Sequence, residues 1–154
     1  ANYDKELIDE RMHCKCLCHK YNNLSPDNVE ERKSVLKQLL GKSGENAAVA
    51  YLEQKGYLIR DRNWRRGHFE LDIVAAKDNE LIVVEVKTRS DTLFAAPEDA
   101  VDLPKIKRTV RAADAYIRLF QIDTPVRFDI ITVVGNDGNF KVEHIEEAFY
   151  PPLY

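Results

Sequence analysis

The sequence predicts an α/β fold in which a mixed sheet is flanked by helices and preceded by an N-terminal two-helix hairpin. Two observations predict the fold: apolar residues at helical spacing give way to short strand-like runs after residue 56, and one further helical pattern interrupts those runs. The distribution of charge is a third observation. Residues 1–43 hold eight basic and seven acidic side chains, whereas residues 44–154 hold 15 and 19. We therefore expect a helical hairpin at 1–43 and a sheet-containing domain at 44–154.

The first domain is predicted to contain two helices. Apolar and small side chains recur at helical spacing from Leu7 to Tyr21. Ser25-Pro26 then indicates a helix start, with serine as the N-cap and proline at the first helical position. Gly41 suits the C-terminal end of that second helix.

The second domain is predicted to follow the order α-β-β-β-α-β-β. Its first helix covers about 44–55 and ends before Gly56, and Asp78-Asn79 indicates a hairpin turn between two strands. The remaining elements are strands at 57–63, 69–76 and 81–88, a long helix that begins at Pro97, includes Val101 and contains Pro104 early on, and strands at 126–134 and 140–145 joined by a turn at 136–139.

Composition excludes several classes of protein. With 44% hydrophobic and 32% charged residues the chain is globular and not disordered. Its longest strongly apolar run, at 81–84, is far shorter than the roughly 20 residues that span a bilayer, so we expect no membrane association. The start is polar and acidic, without a signal peptide, and three closely spaced Cys favour a reducing compartment; we expect a cytoplasmic protein. A formal net charge of -3 argues against a strong nucleic-acid binder, an expectation that the clustering of basic residues corrects.

Charged residues interrupt two of the apolar strands. Glu70 and Asp72 are two residues apart and share a face, as do Glu85 and Lys87 in the next strand. The predicted hairpin places both pairs side by side, and charges seldom lie among apolar residues unless they are paired or bound to a metal. Such a set has the chemistry of phosphodiester cleavage assisted by Mg²⁺ or Mn²⁺. An isolated Glu-x-Lys is more often a solvated ion pair, and the additional carboxylates favour function.

The combined motifs of the second domain resemble the YraN-like proteins. That family consists of uncharacterised or predicted endonucleases with a restriction-endonuclease-like fold, akin to Holliday-junction resolvases. The resemblance covers about 44–145, and one departure is His68-Phe69, since the family usually has a glycine directly before the acid at position 70. The motifs that carry it, in order, are Gly44-Glu45-Asn46-Ala47, Gly56-Tyr57, Arg62-Asn63, Glu70-Leu71-Asp72-Ile73-Val74, Val84-Glu85-Val86-Lys87-Thr88-Arg89, Ala100-Val101, Lys105 and Arg127-Phe128-Asp129.

The resemblance implies a PD-(D/E)xK-type catalytic site made of Glu45, Asp72, Glu85 and Lys87, with Glu70 as an accessory acid. Asp72 and Glu85 would be the ligands of Mg²⁺ or Mn²⁺, and the substrate would be DNA, including branched or structured DNA. Glu45 has an equally good alternative as a helix N-terminal carboxylate. Resolvase-like folds often act as pairs, so a homodimer is implied by analogy.

Two basic clusters predict a nucleic-acid-binding surface. Lysine and arginine side chains bind the phosphates of a nucleic-acid backbone without sequence preference, and Trp64 or Phe69 would stack on a base. The alternative is that these charges are an ordinary solvated face. The candidate binding residues are Arg60, Arg62, Trp64, Arg65, Arg66, Arg89, Lys105, Lys107, Arg108 and Arg111.

The hairpin at 1–43 has features of its own. Cys14, Cys16 and Cys18 lack the spacing of a zinc site, and partly buried thiols are the better interpretation. The hairpin resembles the N-terminal helical module of maltose and galactoside O-acetyltransferases, but the hexapeptide repeats that bind acetyl-CoA in that family are missing from this sequence. The residues that carry this resemblance are Glu6-Leu7-Ile8-Asp9-Glu10-Arg11, Cys14-Lys15, Tyr21-Asn22, Pro26, Glu31-Arg32 and Leu39-Leu40-Gly41.

Three functions remain open from the sequence. The first is the metal-dependent endonuclease, and the second is a catalytically silent nucleic-acid-binding module of the same fold. The third is an accessory role in carbohydrate processing through the hairpin.

Overall fold

The computed structural model describes residues 3–89, 102–136 and 139–152, and it divides into two compact units, Ala1–Ser43 and Gly44–Tyr154. The elements confirm a mixed α/β architecture. In chain order they are α1 (Tyr3–Asn23), α2 (Val29–Gln54), β1 (Leu58–Arg66), β2 (Phe69–Lys77), β3 (Glu80–Arg89), α3 (Leu103–Phe120), β4 (Val126–Asn136) and β5 (Asn139–Ile145).

The first unit contains α1 and the start of α2. The prediction that Ser25-Pro26 begins the second helix is wrong, because α2 starts at Val29. The Ser25 carbonyl accepts a hydrogen bond from the Asn28 N–H in a turn, and Asn28 precedes the helix. Of the thiols, Cys14 is half-buried whereas Cys16 and Cys18 are exposed, so partial burial holds only for the first.

Helix α2 continues through Gly41 and Gly44 for 26 residues, so the predicted helix end at Gly41 and the separate helix at 44–55 are wrong. A glycine inside a helix costs only about 1 kcal/mol, which packing of the helix outweighs. In the second unit, α2 buries Ala48 and Leu52 completely. The backbone of Gly44 lies so close to Thr88 that an added Cβ would meet its Oγ1 at 2.1 Å.

The five strands form one sheet in the order β1-β2-β3-β4-β5. Neighbours are antiparallel except β3 and β4, which are parallel and connected through α3. The Asp78-Asn79 turn is confirmed, and both residues have the positive φ angles that such two-residue turns require. Strand β1 extends beyond the predicted end at Asn63, because Trp64 to Arg66 continue to pair with β2.

Helix α3 begins later than predicted. The Asp102 side chain caps it by accepting a hydrogen bond from the Lys105 N–H at 2.9 Å. Pro104 therefore lies in the first turn, where a missing N–H costs nothing. The predicted helix start at Pro97 and its residue Val101 lie outside the described residues, as does the middle of the predicted turn at 136–139.

The sheet of the second unit carries a helix on each face. One core cluster joins Ala48 and Leu52 of α2 to Ile73 and Ile131, and the other joins Tyr116 of α3 to its own set of strand residues. Both clusters pack apolar side chains against the central sheet. This packing fixes the positions of the strands that carry the charged residues. Among the described residues, none of the helices combines the length and the apolarity needed to cross a membrane.

The close approach of α2 to β3 gives a stability prediction. Gly44→Ala should lower the free energy of unfolding by about 1–3 kcal/mol, because the new methyl group overlaps Thr88. Chemical denaturation measures the loss, and Ser43→Ala, at the exposed neighbouring position, is the control. Adding Thr88→Ala removes the overlapping atoms and should restore most of the stability. A Gly44→Ala protein as stable as the wild type would contradict the close approach.

Candidate functional site

The candidate site lies where the ladder between β2 and β3 stops. Their last pair is Ile73 with Val84, and beyond it the Asp72 side chain takes the place of a backbone partner. Oδ2 of Asp72 accepts a hydrogen bond from the Val86 N–H at 2.8 Å. The carboxylate is thus inserted between two strands that would otherwise remain paired.

Asn63 of β1 lies opposite Asp72. At this position the side chains of the two strands change the face of the sheet on which they lie. The flanking pairs are Arg62 with Ile73 and Trp64 with Leu71, and Asn63 has a φ of 49°. Ile73 packs in the cluster on the α2 side, whereas Leu71, only two residues away, packs in the cluster on the α3 side. Regular alternation is broken here, as at a bulge.

Glu85 is the most buried acid of the site, at 6% exposure, and two lysines neutralise it. Its Oε1 lies 3.1 Å from Lys87 Nζ and 2.9 Å from Lys105 Nζ. Burial lowers the pKa of Lys105, but Glu85, with smaller contributions from Asp72 and Glu70, raises it overall, so that the ammonium stays charged. A short row of alternating charges therefore runs from β3 to α3.

Asp72 is compensated less well than Glu85. Its pKa is raised to about 7, because burial and the Glu85 charge raise it by more than the Val86 N–H and Lys105 lower it. Glu45 raises the pKa of Asp72 slightly as well. The Glu45 carboxylate is held near the site because its Oε2 accepts a hydrogen bond from Asn63 Nδ2 at 2.9 Å.

The donor set can be tested for a divalent metal. Within the described part of the chain, no three His, Cys, Asp or Glu side chains converge on a point that would hold an ion. Mg²⁺ does not need such a cage, since it is usually bound by one or two carboxylates and keeps its other positions for water and phosphate. Asp72 and Glu85 fit that requirement, and the Glu85 charge contributes to the raised pKa of Asp72.

The structure places the other predicted residues at different distances from this centre. Glu70 is exposed and pairs with Arg65 at 2.7 Å. The ring of Trp64 lies edge-on to Tyr116 with centroids 5.2 Å apart and packs on the core. Arg62 donates to the side chain of Asn46 on α2. The remaining predicted binding residues are half-buried or exposed: Arg60, Arg66, Arg89, Lys107, Arg108 and Arg111.

Two members of the site were not recognised as such from the sequence. Lys105 was predicted to bind phosphate. Its contact with Glu85 joins residues twenty positions apart, and no local sequence pattern indicates it. Asn63 had only a weak signal, its position next to Arg62 in a strand-like run where asparagine is uncommon.

Comparison with known proteins assigns the family. Residues 44–133 match the sequence model of the uncharacterised protein family UPF0102, which is more than half of the chain. The chain belongs to UPF0102. A UPF0102 protein of Bacteroides thetaiotaomicron is 81% identical over 115 residues, which are 75% of this chain and 95% of that protein. A UPF0102 protein of Bacteroides fragilis is 74% identical over 116 residues, which are 75% of this chain and 96% of that protein. One of Flavobacterium psychrophilum is 46% identical over 111 residues, which are 72% of this chain and 93% of that protein.

The first unit has a separate similarity. Residues 1–44 match the sequence model of the maltose acetyltransferase hexapeptide capping motif. The UPF0102 match begins at residue 44, so the two similarities meet inside helix α2.

The second unit, which carries the UPF0102 match, contains another buried aspartate with very different surroundings. Asp129 is completely buried, receives two hydrogen bonds from Arg127 at 2.9 Å, and lies 2.8 Å from His144 Nε2. The Glu147 N–H donates a further bond at 3.1 Å. Burial acts to raise the pKa of Asp129, but the bonds from His144 and Arg127 outweigh it and lower the pKa. Such complete pairing indicates a structural role for this residue.

The raised pKa of Asp72 gives a pH prediction. In the folded state the Asp72 carboxyl stays protonated up to about pH 7, whereas in the unfolded state it loses its proton near pH 3.8. The free energy of unfolding therefore falls as the pH rises between these two values. Without metal, Asp72→Asn should be as stable as the wild type near pH 4 and more stable by several degrees in Tm above pH 7.

Thermal melting of both proteins in chelator across this range makes the measurement, and Asp114→Asn, an exposed position on α3, is the control. A Tm difference that does not change with pH would contradict the assignment.

Proposed function

We propose that this UPF0102 protein is a Mg²⁺-dependent endonuclease that hydrolyses phosphodiester bonds in DNA. The observation that carries the proposal is the meeting of two carboxylates and two lysines where the β2–β3 ladder stops, with the pKa of Asp72 raised to about 7. Perturbed acids in such a cluster are typical of functional sites. Mn²⁺ has the same ligand chemistry and should replace Mg²⁺.

Each residue of the site has a role in this proposal. Asp72 and Glu85 would hold the metal, and Glu45 would support it from the position fixed by Asn63. The bound ion would supply charge neutralisation and a more acidic water. Lys87 and Lys105 place two ammonium groups beside Glu85, where they stabilise the negative charge that develops on a cleaved phosphate.

A nucleic acid is the proposed substrate because exposed cations lie on α3, and the resemblance to Holliday-junction resolvases favours DNA. Lys107, Arg108 and Arg111 lie exposed on α3, the helix that also supplies Lys105. Such side chains bind backbone phosphates of any sequence. The resemblance to resolvases suggests branched or structured DNA as the preferred form, with two copies of the chain acting as a homodimer.

One observation favours a second candidate, a nucleic-acid-binding module without turnover. Both lysines contact the same oxygen of Glu85, so that its charge is neutralised without a metal. In that case Lys87 and Lys105 serve only to stabilise buried Glu85, and the basic residues of α3 bind nucleic acid. Metal binding and cleavage distinguish the two candidates.

Lys87→Ala should slow cleavage by about 10²- to 10³-fold with little change in DNA affinity, because it removes one group that stabilises developing charge. Glu85 keeps Lys105 as its partner, so the fold should persist. The measurement is a panel of labelled single-stranded, duplex, flap and four-way substrates with Mg²⁺ and with Mn²⁺.

The matched control is Lys141→Ala, an exposed lysine on the edge strand β5 that pairs with Glu143. Equal cleavage by the Lys87→Ala protein and the wild type would refute the mechanism.

Metal titration provides an independent prediction. Mg²⁺ or Mn²⁺ should raise the Tm of the wild type, and more at pH 8 than at pH 6, because proton and metal compete for Asp72. Asp72→Asn keeps an acceptor for the Val86 N–H but removes the charge, and it should abolish the metal-dependent increase. Asp123→Asn, in an exposed loop, is the control. No Tm increase in the wild type, together with unchanged behaviour of Asp72→Asn, would favour the binding module.

A further inference from the structure

We infer that a cleft beside the carboxylate pair binds one unpaired nucleotide next to the bond that is cut, so that the substrate carries a single-stranded segment there. The inference rests on the proposed nuclease function and specifies its substrate. The cleft has a volume of about 200 Å³ and lies between the β1–β2 turn and helix α3.

The two walls of the cleft differ in chemistry. His68 of the β1–β2 turn and Phe69 and Glu70 at the start of β2 form one wall. Helix α3 contributes Arg108 and Arg111 on successive turns, together with Lys105 and the buried Thr109. One side is therefore aromatic and the other is cationic, which matches the two parts of a nucleotide.

The cationic wall has charge available for phosphate. Within the described ranges, neither Arg108 nor Arg111 takes part in an ion pair, and both are exposed. The other two charged groups of the cleft are already engaged, since Lys105 pairs with Glu85 and Glu70 pairs with Arg65. Two guanidinium groups three residues apart on a helix can contact two neighbouring phosphates.

The aromatic wall offers a surface for a base. The His68 and Phe69 rings lie 4.3 Å apart between centroids and are tilted by 44°. Phe69 is anchored because it packs against the core cluster on the α3 side, whereas His68 is exposed. A base–aromatic contact of this kind is tolerant of sequence.

The size and position of the cleft favour an unpaired nucleotide. The volume of this cleft is below the roughly 300–1,000 Å³ of cavities that take drug-sized ligands. The cleft therefore has room for one base but not for a base pair. Lys105 lines the cleft and contacts Glu85, so a nucleotide here adjoins a phosphate at the carboxylates. A base inside a duplex would first have to be unstacked at a cost, which a flap, branch or single strand avoids.

Binding in chelator tests the inference without catalysis. Fluorescence anisotropy of the full chain compares a labelled single strand, a blunt duplex and the same duplex with an unpaired tail. The wild type should bind the single strand and the tailed duplex about fivefold or more tightly than the blunt duplex. His68→Ala with Phe69→Leu should remove this preference, while Phe140→Leu on β5 should keep it. Melting curves confirm that each variant is folded.

Salt dependence tests the cationic wall separately. Arg108→Ala with Arg111→Ala should reduce the slope of log affinity against log salt by about 1.4 for the single strand, because two phosphate contacts are lost. Arg118→Ala, an exposed arginine on the same helix outside the cleft, should leave the slope unchanged. A blunt duplex bound as tightly as the tailed one, or a double variant that behaves as Arg118→Ala does, would overturn the inference.

The outcomes separate this inference from the proposed function. Selective binding of unpaired DNA with no cleavage at any metal concentration supports the cleft and rejects the nuclease. Cleavage that is lost in Lys87→Ala but unaffected by the cleft variants supports the nuclease and rejects the cleft.

Discussion

The hydrogen bond between Asp72 and the Val86 N–H is the interaction on which the candidate site depends. It ends the pairing of β2 with β3 and inserts an acidic group into a sheet whose buried positions are mostly apolar. A buried carboxylate needs compensation, and within the described part of the chain the backbone supplies one donor here. The nearby lysines are directed to Glu85 instead. The local shortage of positive charge around Asp72 thus follows from the way in which the strands separate.

The two buried aspartates of the sheet illustrate how surroundings decide the role of a residue. Asp129 has a bidentate arginine, a histidine and a backbone N–H, and its pKa is lowered. Asp72 has one backbone donor and a neighbouring carboxylate, and its pKa is raised to about 7. A fully paired carboxylate gains nothing from an added cation, whereas an underpaired one does. The same residue type therefore stabilises the fold at one position and is available for chemistry at another.

Much of the sheet and part of the site could be predicted from the sequence. Period-two alternation indicates that Glu85 and Lys87 share a face, and Asp78-Asn79 places β2 beside β3, so the neighbourhood of Asp72 and Glu85 follows from local pattern. The continuity of α2 did not follow, because a glycine signals a helix end locally while packing of Ala48 and Leu52 decides the outcome. The contact of Lys105 with Glu85 is tertiary and leaves no periodic trace. The packing of Trp64 was hidden because the reversal of faces at Asn63 shifts the alternation by one.

The ladder that stops at Ile73 and Val84 has a spectroscopic consequence. Beyond that pair, the amide of Val86 bonds a side chain that can lose a proton or accept a metal, and not a neighbouring carbonyl. Its hydrogen-exchange rate and its nitrogen chemical shift should respond to the state of Asp72, while amides deeper in the ladder remain constant. The Val86 amide, which is hydrogen-bonded directly to Asp72, thus reports on the candidate site and needs only ¹⁵N labelling.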